Sequence, residues 1–201
     1  MKDYRLGRLS QVDDVRRGID LIDLVRLAHH DHLDPDALRA AERRATTIVA
    51  FDTFVVPVLL QTPSYGLVQG ADPERREVLD RHPAPACEFF VHETALHTWS
   101  GDPGVLAEQL RALTSSPARL VPFAAGGRPE FRQSFTLLGF ATGGPAVHVE
   151  TLCGCHDVVA RYQVVADVLR ECALGPDESR EAFARAAEAL SGESREGGHR
   201  S

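Results

Sequence analysis

At Thr46 the chain changes texture, and that change limits what it can fold into. Before it, Val15, Ile19, Ile22, Val25 and Leu27 recur near the 3.6-residue period of a helix, with Leu24 widening the stripe. After it come short runs rich in β-branched and aromatic residues: TTIVAFD (46–52), EFFVHE (88–93), ARLVPFA (118–124), RQSFTLLGFA (132–141) and AVHVETL (146–152). These are strand candidates. Asp-Pro pairs open helices at 35–44, 73–81 and 103–113, because each supplies a capping carboxylate and a proline at the first helical position. Gly143-Gly144-Pro145 joins two strands closely enough for a hairpin. Helices at 157–173, stopped by Gly175-Pro176, and at 177–190 follow, and 192–201 reads as a disordered tail. The expected class is α+β: a mostly antiparallel sheet flanked by helices, with a short N-terminal helical segment over residues 1–45 and the sheet domain over 46–191.

A chain of 201 residues can bury a sizeable core without staples. Its 22 Lys and Arg against 29 Asp and Glu leave a net charge of −7, the wrong sign for neutralising many phosphates. No run approaches the length of a membrane span, and the N-terminus MKDYRLGRLSQVDD is too polar for an export signal, so the expected setting is the cytoplasm. The cysteines Cys87, Cys153, Cys155 and Cys172 are too few for a disulfide scaffold and read as reduced thiols.

Several ordered motifs stand in the chain: VPVLLQTPSY (56–65), HETAL (92–96), GVLAEQLRAL (104–113), RLVPFAAGGRPEF (119–131), SFTLLGF (134–140), HVETL (148–152), VARY (159–162) and ALGPDESR (173–180). Through them residues 46–190 resemble the C-terminal domain of the DUF5753, or Scr1-type antitoxin-like, regulators of actinobacteria. The resemblance implies an N-terminal helix-turn-helix of the repressor type and a small partner protein. Here only the end of such a unit is legible, in residues 10–34. Half a unit cannot dock in a major groove, and Asp13 and Asp14 would meet phosphates. Residues 1–40 hold seven Lys or Arg against eight Asp, so no basic footprint is expected. The segment therefore reads as a truncated remnant, through genuine loss or a start placed too late.

Nine histidines invite a search for chemistry. His92, His97 and His148 stand where the family pattern favours an acid, an arginine and a tyrosine. Glu93 and His97 are i and i+4 if their segment is helical, which would let the carboxylate orient the imidazole. Read as one strand, 146–152 puts His148, Glu150 and Leu152 on one face and Val147, Val149 and Thr151 on the other. Glu93, His97, His148 and Glu150 are thus the candidate catalytic set, adjacent carboxylates poising each imidazole near neutrality. A wetted sheet face explains the same alternation.

Gln61 and Tyr65, with Thr62, form a polar group on an apolar platform that could cap a ligand pocket, or be a loop packed on the sheet. With Glu93, His97, His148 and Glu150 they are the candidate ligand-binding residues. Cys153, Cys155 and His156 could offer two thiolates and an imidazole to zinc or another thiophilic metal, although C-x-C spacing is unlike most structural zinc sites. No cofactor is otherwise indicated. His29 and His32 are i and i+3 on a helix, a metal-capable pair or imidazoles favoured at a helix C-terminus. Trp99 with Gly101 reads as a core anchor. No nucleophile elbow, phosphate loop or dinucleotide fingerprint is present.

Two functions remain. One is a stand-alone sensor or adaptor that binds a small molecule or a small partner protein without touching nucleic acid or membrane. The other is a domain recruited as an enzyme of specialised metabolism. The apolar helical face of residues 10–45 needs cover, from the sheet domain or a second copy, so a homodimer is expected.

Overall fold

The computed structural model describes residues 35–99, 101–149 and 152–197. The helix expected over 10–34, with His29 and His32, lies outside the described residues, as does Glu150. Helix α1 (Pro35–Arg44) leads into β1 (Thr47–Asp52), followed by α2 (Pro63–Gln69), β2 (Ala86–His92), α3 (Pro103–Leu113), β3 (Ala118–Val121), β4 (Phe135–Gly139), β5 (Ala146–His148), β6 (Leu152–Cys153), α4 (His156–Cys172) and α5 (Pro176–Gly197). The strands form one sheet in the order β3-β2-β1-β4-β5-β6. β1 pairs with β2, and β2 with β3, in parallel; the β1–β4, β4–β5 and β5–β6 pairs are antiparallel. The α+β class holds, with three of the five pairings antiparallel. The parallel half follows from the long crossovers over 53–85 and 93–117, since parallel neighbours need a dozen or more connecting residues.

β1 lies mid-sheet and is buried on both faces. Side chains alternate along it. Ile48 and Ala50 join a core with Leu38 and Ala41 of α1, Leu106, Leu110 and Leu113 of α3, and Phe183 of α5. Val49 and Phe51 face the opposite core, closed by Val159, Tyr162, Val165 and Leu169 of α4. The apolar face of α1 is therefore covered by the sheet domain itself. The end of α1 is held as well, because the Arg81 guanidinium donates to the carbonyls of Arg43 and Ala45.

Helix α3 forms as its sequence dictates: Asp102 accepts from the Gly104 N–H at 2.7 Å, and Leu106, Leu110 and Leu113 give it a buried stripe. Three elements differ from expectation. The segment Pro73–Leu79 is a 3₁₀ helix rather than an α-helix. Val78 is buried in the core and Leu79 packs against it at the segment's end, while Arg75 and Glu74 are drawn to ion pairs with α1, and short helices depend on packing. Helix α5 continues to Gly197, past residue 190, because a single Gly192 costs about 1 kcal/mol, too little to stop a helix rich in Ala, Glu and Arg.

The third difference bears on function. Residues 146–152 are not one strand: β5 ends at His148, the chain reverses, and β6 returns antiparallel with Val147 opposite Cys153 and His148 opposite Leu152. The period-2 assignment of faces therefore fails beyond His148.

At the other edge, both backbone groups of Leu120 in β3 are occupied. The Leu174 N–H donates to the Leu120 carbonyl at 2.8 Å, and the Leu120 N–H donates to Ser179 Oγ at 3.0 Å. Arg119 donates in turn to the carbonyls of Leu174 and Ala173 at 2.9 and 2.8 Å. No helix among the described residues is long and apolar enough to cross a membrane.

Candidate functional site

Three strands set the floor of a cavity. In register, Ala50 of β1 stands opposite Thr136 of β4, and Thr136 opposite His148 of β5, so the three side chains share one face of the sheet. Asp52 lies two residues beyond Ala50 and projects to the same face. Ala50 contributes only a methyl group in a strand whose other buried side chains are Ile48, Val49 and Phe51, which leaves room above it. The half-open space of about 130 Å3 is bordered by Pro57, Val58 and Leu59 after β1, by Glu42 of α1 and by Arg75, with Ser134 beside Asp52.

Charge in this recess is unevenly balanced. Glu42 is 1% exposed and is gripped by Arg75 in a two-point pair, Nε to Oε2 at 3.0 Å and Nη2 to Oε1 at 2.6 Å. That geometry satisfies both partners of a buried pair. Asp52 forms no ion pair among the described residues, and its carboxylate accepts from the Ser134 hydroxyl. Burial pushes the Asp52 carboxyl up to about 6, against the Ser134 bond and the charge of Arg75. Burial, aided by Arg75, pushes His148 down to about 4. At neutral pH the lining thus holds a neutral imidazole, a closed ion pair and an extra carboxylate.

The sequence candidates fall in three places. His148 lines this cavity, but its imidazole is far from poised near neutrality, because burial and a guanidinium act on it instead of a neighbouring carboxylate. Glu93 and His97 follow β2 and do not border the cavity. Their segment, Glu93–Leu96, is a 3₁₀ helix with His97 as its cap, and in that geometry i and i+3, not i+4, share a face. Each meets Phe123 instead: Glu93 Oε2 accepts from the Phe123 N–H at 2.6 Å, and the His97 ring stacks on Phe123 with centroids 5.9 Å apart. His92 meets the same ring edge-on at 5.6 Å, and burial lowers its pKa against the pull of Glu93.

Gln61 and Tyr65 lie buried in the loop that roofs the cavity, bonded within it rather than lining it. Gln61 Nε2 donates to the Val56 carbonyl at 2.7 Å, and Tyr65 Oη accepts from the Val56 N–H at 3.3 Å. Tyr65 also stacks on Trp99, whose indole lies so near Gly101 that a Cβ there would sit 2.8 Å from it. The loop is fastened from α3. Gln109, fully buried, accepts from the Thr62 N–H at 2.6 Å and donates to the Leu60 carbonyl at 3.0 Å.

Cys155 caps α4 and is exposed, and His156 is exposed beside Asp157, its Nδ1 3.6 Å from Oδ1. The Cys153 side chain lies outside the described residues. Among the described residues no group of three or more His, Cys, Asp or Glu side chains is placed to hold a metal ion.

Sequence reasoning missed Asp52, Arg75 and Glu42. One signal was available for Glu42: Leu38, Glu42 and Ala45 are i, i+4 and i+7, which puts a carboxylate on the apolar stripe of α1. Asp52 and Arg75 belong to segments that only the fold brings together.

Fold and site together define a class: an α+β domain built on one mixed sheet, with buried and half-buried ionisable groups gathered at a small cavity on its face. The family model of a domain of unknown function, DUF5753, matches residues 69–185, and the chain belongs to that family. No curated protein and no solved structure matches it.

Proposed function

We propose that the protein is a sensor or adaptor that takes a small molecule in the Asp52–Arg75–His148 cavity and passes its occupancy to a partner protein, without reading DNA itself. One observation carries this reading. A carboxyl, a guanidinium and an imidazole from three separated segments border one recess beside two hydroxyls. Polar groups converging beside apolar walls suit a ligand site, and strongly shifted groups gather at functional sites.

The cavity wall supports the sensing role. Glu42 belongs to α1, the helix through which residues 1–34 join the sheet domain, and Arg75 holds it there. A charged ligand seated beside this pair alters the field on Arg75 and so that grip, which gives occupancy a route to the N-terminal segment. The net charge of −7 supports action without direct DNA contact, and we place that action in the cytoplasm. Exposed Phe54, Leu67, Val68 and Phe123 supply apolar surface for a partner protein or for a homodimer.

Thermal melting across a panel of small metabolites tests the reading, with Thr136→Leu as a variant that fills the cavity from its floor. A ligand at a hundred times its Kd stabilises by about 2.7 kcal/mol, and the filled variant loses that gain. If every stabilising compound acts equally on the filled variant, the cavity is not the site.

A second reading, an enzyme of specialised metabolism, draws on a different feature. Asp52 at about 6 and His148 at about 4 are moved toward each other's range, and acid–base pairs depend on such tuning. Prolonged incubation with a bound compound separates the two: recovery unchanged supports the sensor, conversion the enzyme.

A further inference from the structure

The charge balance of the cavity narrows its ligand. Arg75 is paired with Glu42 through the Nε–Nη2 edge of its guanidinium, so its charge is already balanced within the recess. Asp52 has the Ser134 hydroxyl as its hydrogen-bond partner and no ion pair among the described residues. The ionisable groups that surround it are Arg75 from the 73–79 turn, Glu42 from α1, His148 from β5 and, within reach of its charge, Tyr65 from α2. Only one of these is a cation, and that one is already paired.

We propose that the cavity takes a compact organic monocation, an alkylammonium or amidinium group seated against the Asp52 carboxylate. The proposal rests on the reading of the cavity as the ligand site and adds the class of ligand. A cation supplies the counter-charge that Asp52 lacks, whereas an anion meets the net negative charge of the recess and a neutral molecule leaves the half-buried Asp52 charge uncompensated. His148, neutral at pH 7, offers a ring nitrogen as acceptor, and the Thr136 hydroxyl a second. Pro57, Val58 and Leu59 face the ligand's hydrocarbon part. A space of about 130 Å3 seats a group about the size of benzene, and the recess is half open, so any larger part of the ligand lies outside it.

Binding of a cation favours ionised Asp52, so it releases a proton wherever Asp52 is partly protonated. From a carboxyl at about 6, affinity falls about tenfold between pH 7 and pH 5.

The test is an NMR titration of the full chain with acetamidinium, acetamide and acetate, which share size and shape and differ in charge. Acetamidinium is expected to shift the backbone amides of Asp52, Thr136 and His148, to lose about tenfold in affinity from pH 7 to pH 5, and to lose its binding in Asp52→Asn. Acetamide or acetate moving those amides as strongly as acetamidinium overturns the cationic class and leaves the cavity standing as a ligand site. Acetamidinium binding that is indifferent to pH overturns the role of Asp52 without recourse to any variant. Failure of all three molecules to move the cavity amides overturns both the class and the site.

Discussion

Asp52 and His148 project from the same face of the sheet into one cavity, two strands apart, and burial moves their pKa values in opposite directions from their ordinary ranges. The carboxyl rises from 3.8 to about 6 and the imidazole falls from 6.5 to about 4. Their effects on stability are consequently opposed over nearly the same pH window.

For Asp52 the folded value lies above the unfolded one, so its contribution is complete below pH 3.8 and is lost as pH rises through about 6. For His148 the folded value lies below, so its contribution is complete above pH 6.5 and is lost as pH falls through about 4. The wild type should show a shallow profile between pH 4 and pH 6.5 as far as these two groups decide it. Asp52→Asn should become less stable as pH falls, and His148→Asn more stable. At pH 8 Asp52→Asn should exceed the wild type by up to about 3 kcal/mol, the value of the carboxyl shift. Urea denaturation at half-unit pH steps reads all three curves, and parallel curves would show that the two side chains are not buried as described.

A second expectation concerns the grip on α1. Arg75→Met leaves the Glu42 carboxylate buried without its partner, which costs about 3–5 kcal/mol, whereas Glu42→Leu with Arg75→Met removes both charges and restores most of the loss. Chemical denaturation of the two single variants and the double variant gives the coupling directly. Additive losses would mean that the pair contributes nothing beyond its separate contacts.

Gln109→Leu keeps the volume of the side chain but removes both bonds to the roof loop, leaving the Thr62 N–H and the Leu60 carbonyl buried and unmade. The cost is about 2–4 kcal/mol for two buried groups. Amide exchange in residues 57–66 should accelerate more than exchange in α4, which lies across the sheet. Uniform acceleration would place the effect in global stability instead.

The last expectation concerns nucleic acid. With a net charge of −7, the chain should give no discrete mobility shift on its own promoter region at low or physiological salt. A salt-resistant complex would falsify the reading of a regulator that works through association with other proteins.

Much of the fold was legible because local signals agreed with tertiary demand. The Asp102-Pro103 cap and the Leu106, Leu110 and Leu113 stripe fix α3, and the Gly143-Gly144-Pro145 turn marks the β4–β5 hairpin. The reversal after His148 was hidden, since Val149-Glu150-Thr151 alternates like a strand and holds neither Gly nor Pro. His148 drew notice as an imidazole on an apolar strand. Its partners did not, because Asp52 ends a strand and Arg75 stands in a charged turn, both ordinary places for solvated residues, and only the fold brings them to the same cavity as His148. Glu93 and His97 were paired by a helical spacing that a 3₁₀ turn does not keep.

The sealed border of β3 limits how copies of this protein meet. Leu120 has no outward N–H or carbonyl left for another strand, and at the far side β6 is two residues long. Sheets that expose a long unpaired edge invite growth from chain to chain. This one interrupts its β3 border at Leu120 and leaves too short a ladder beyond β5. Association, with a second copy or with another protein, is left to side chains on helices and loops, where single substitutions tune affinity without seeding fibres.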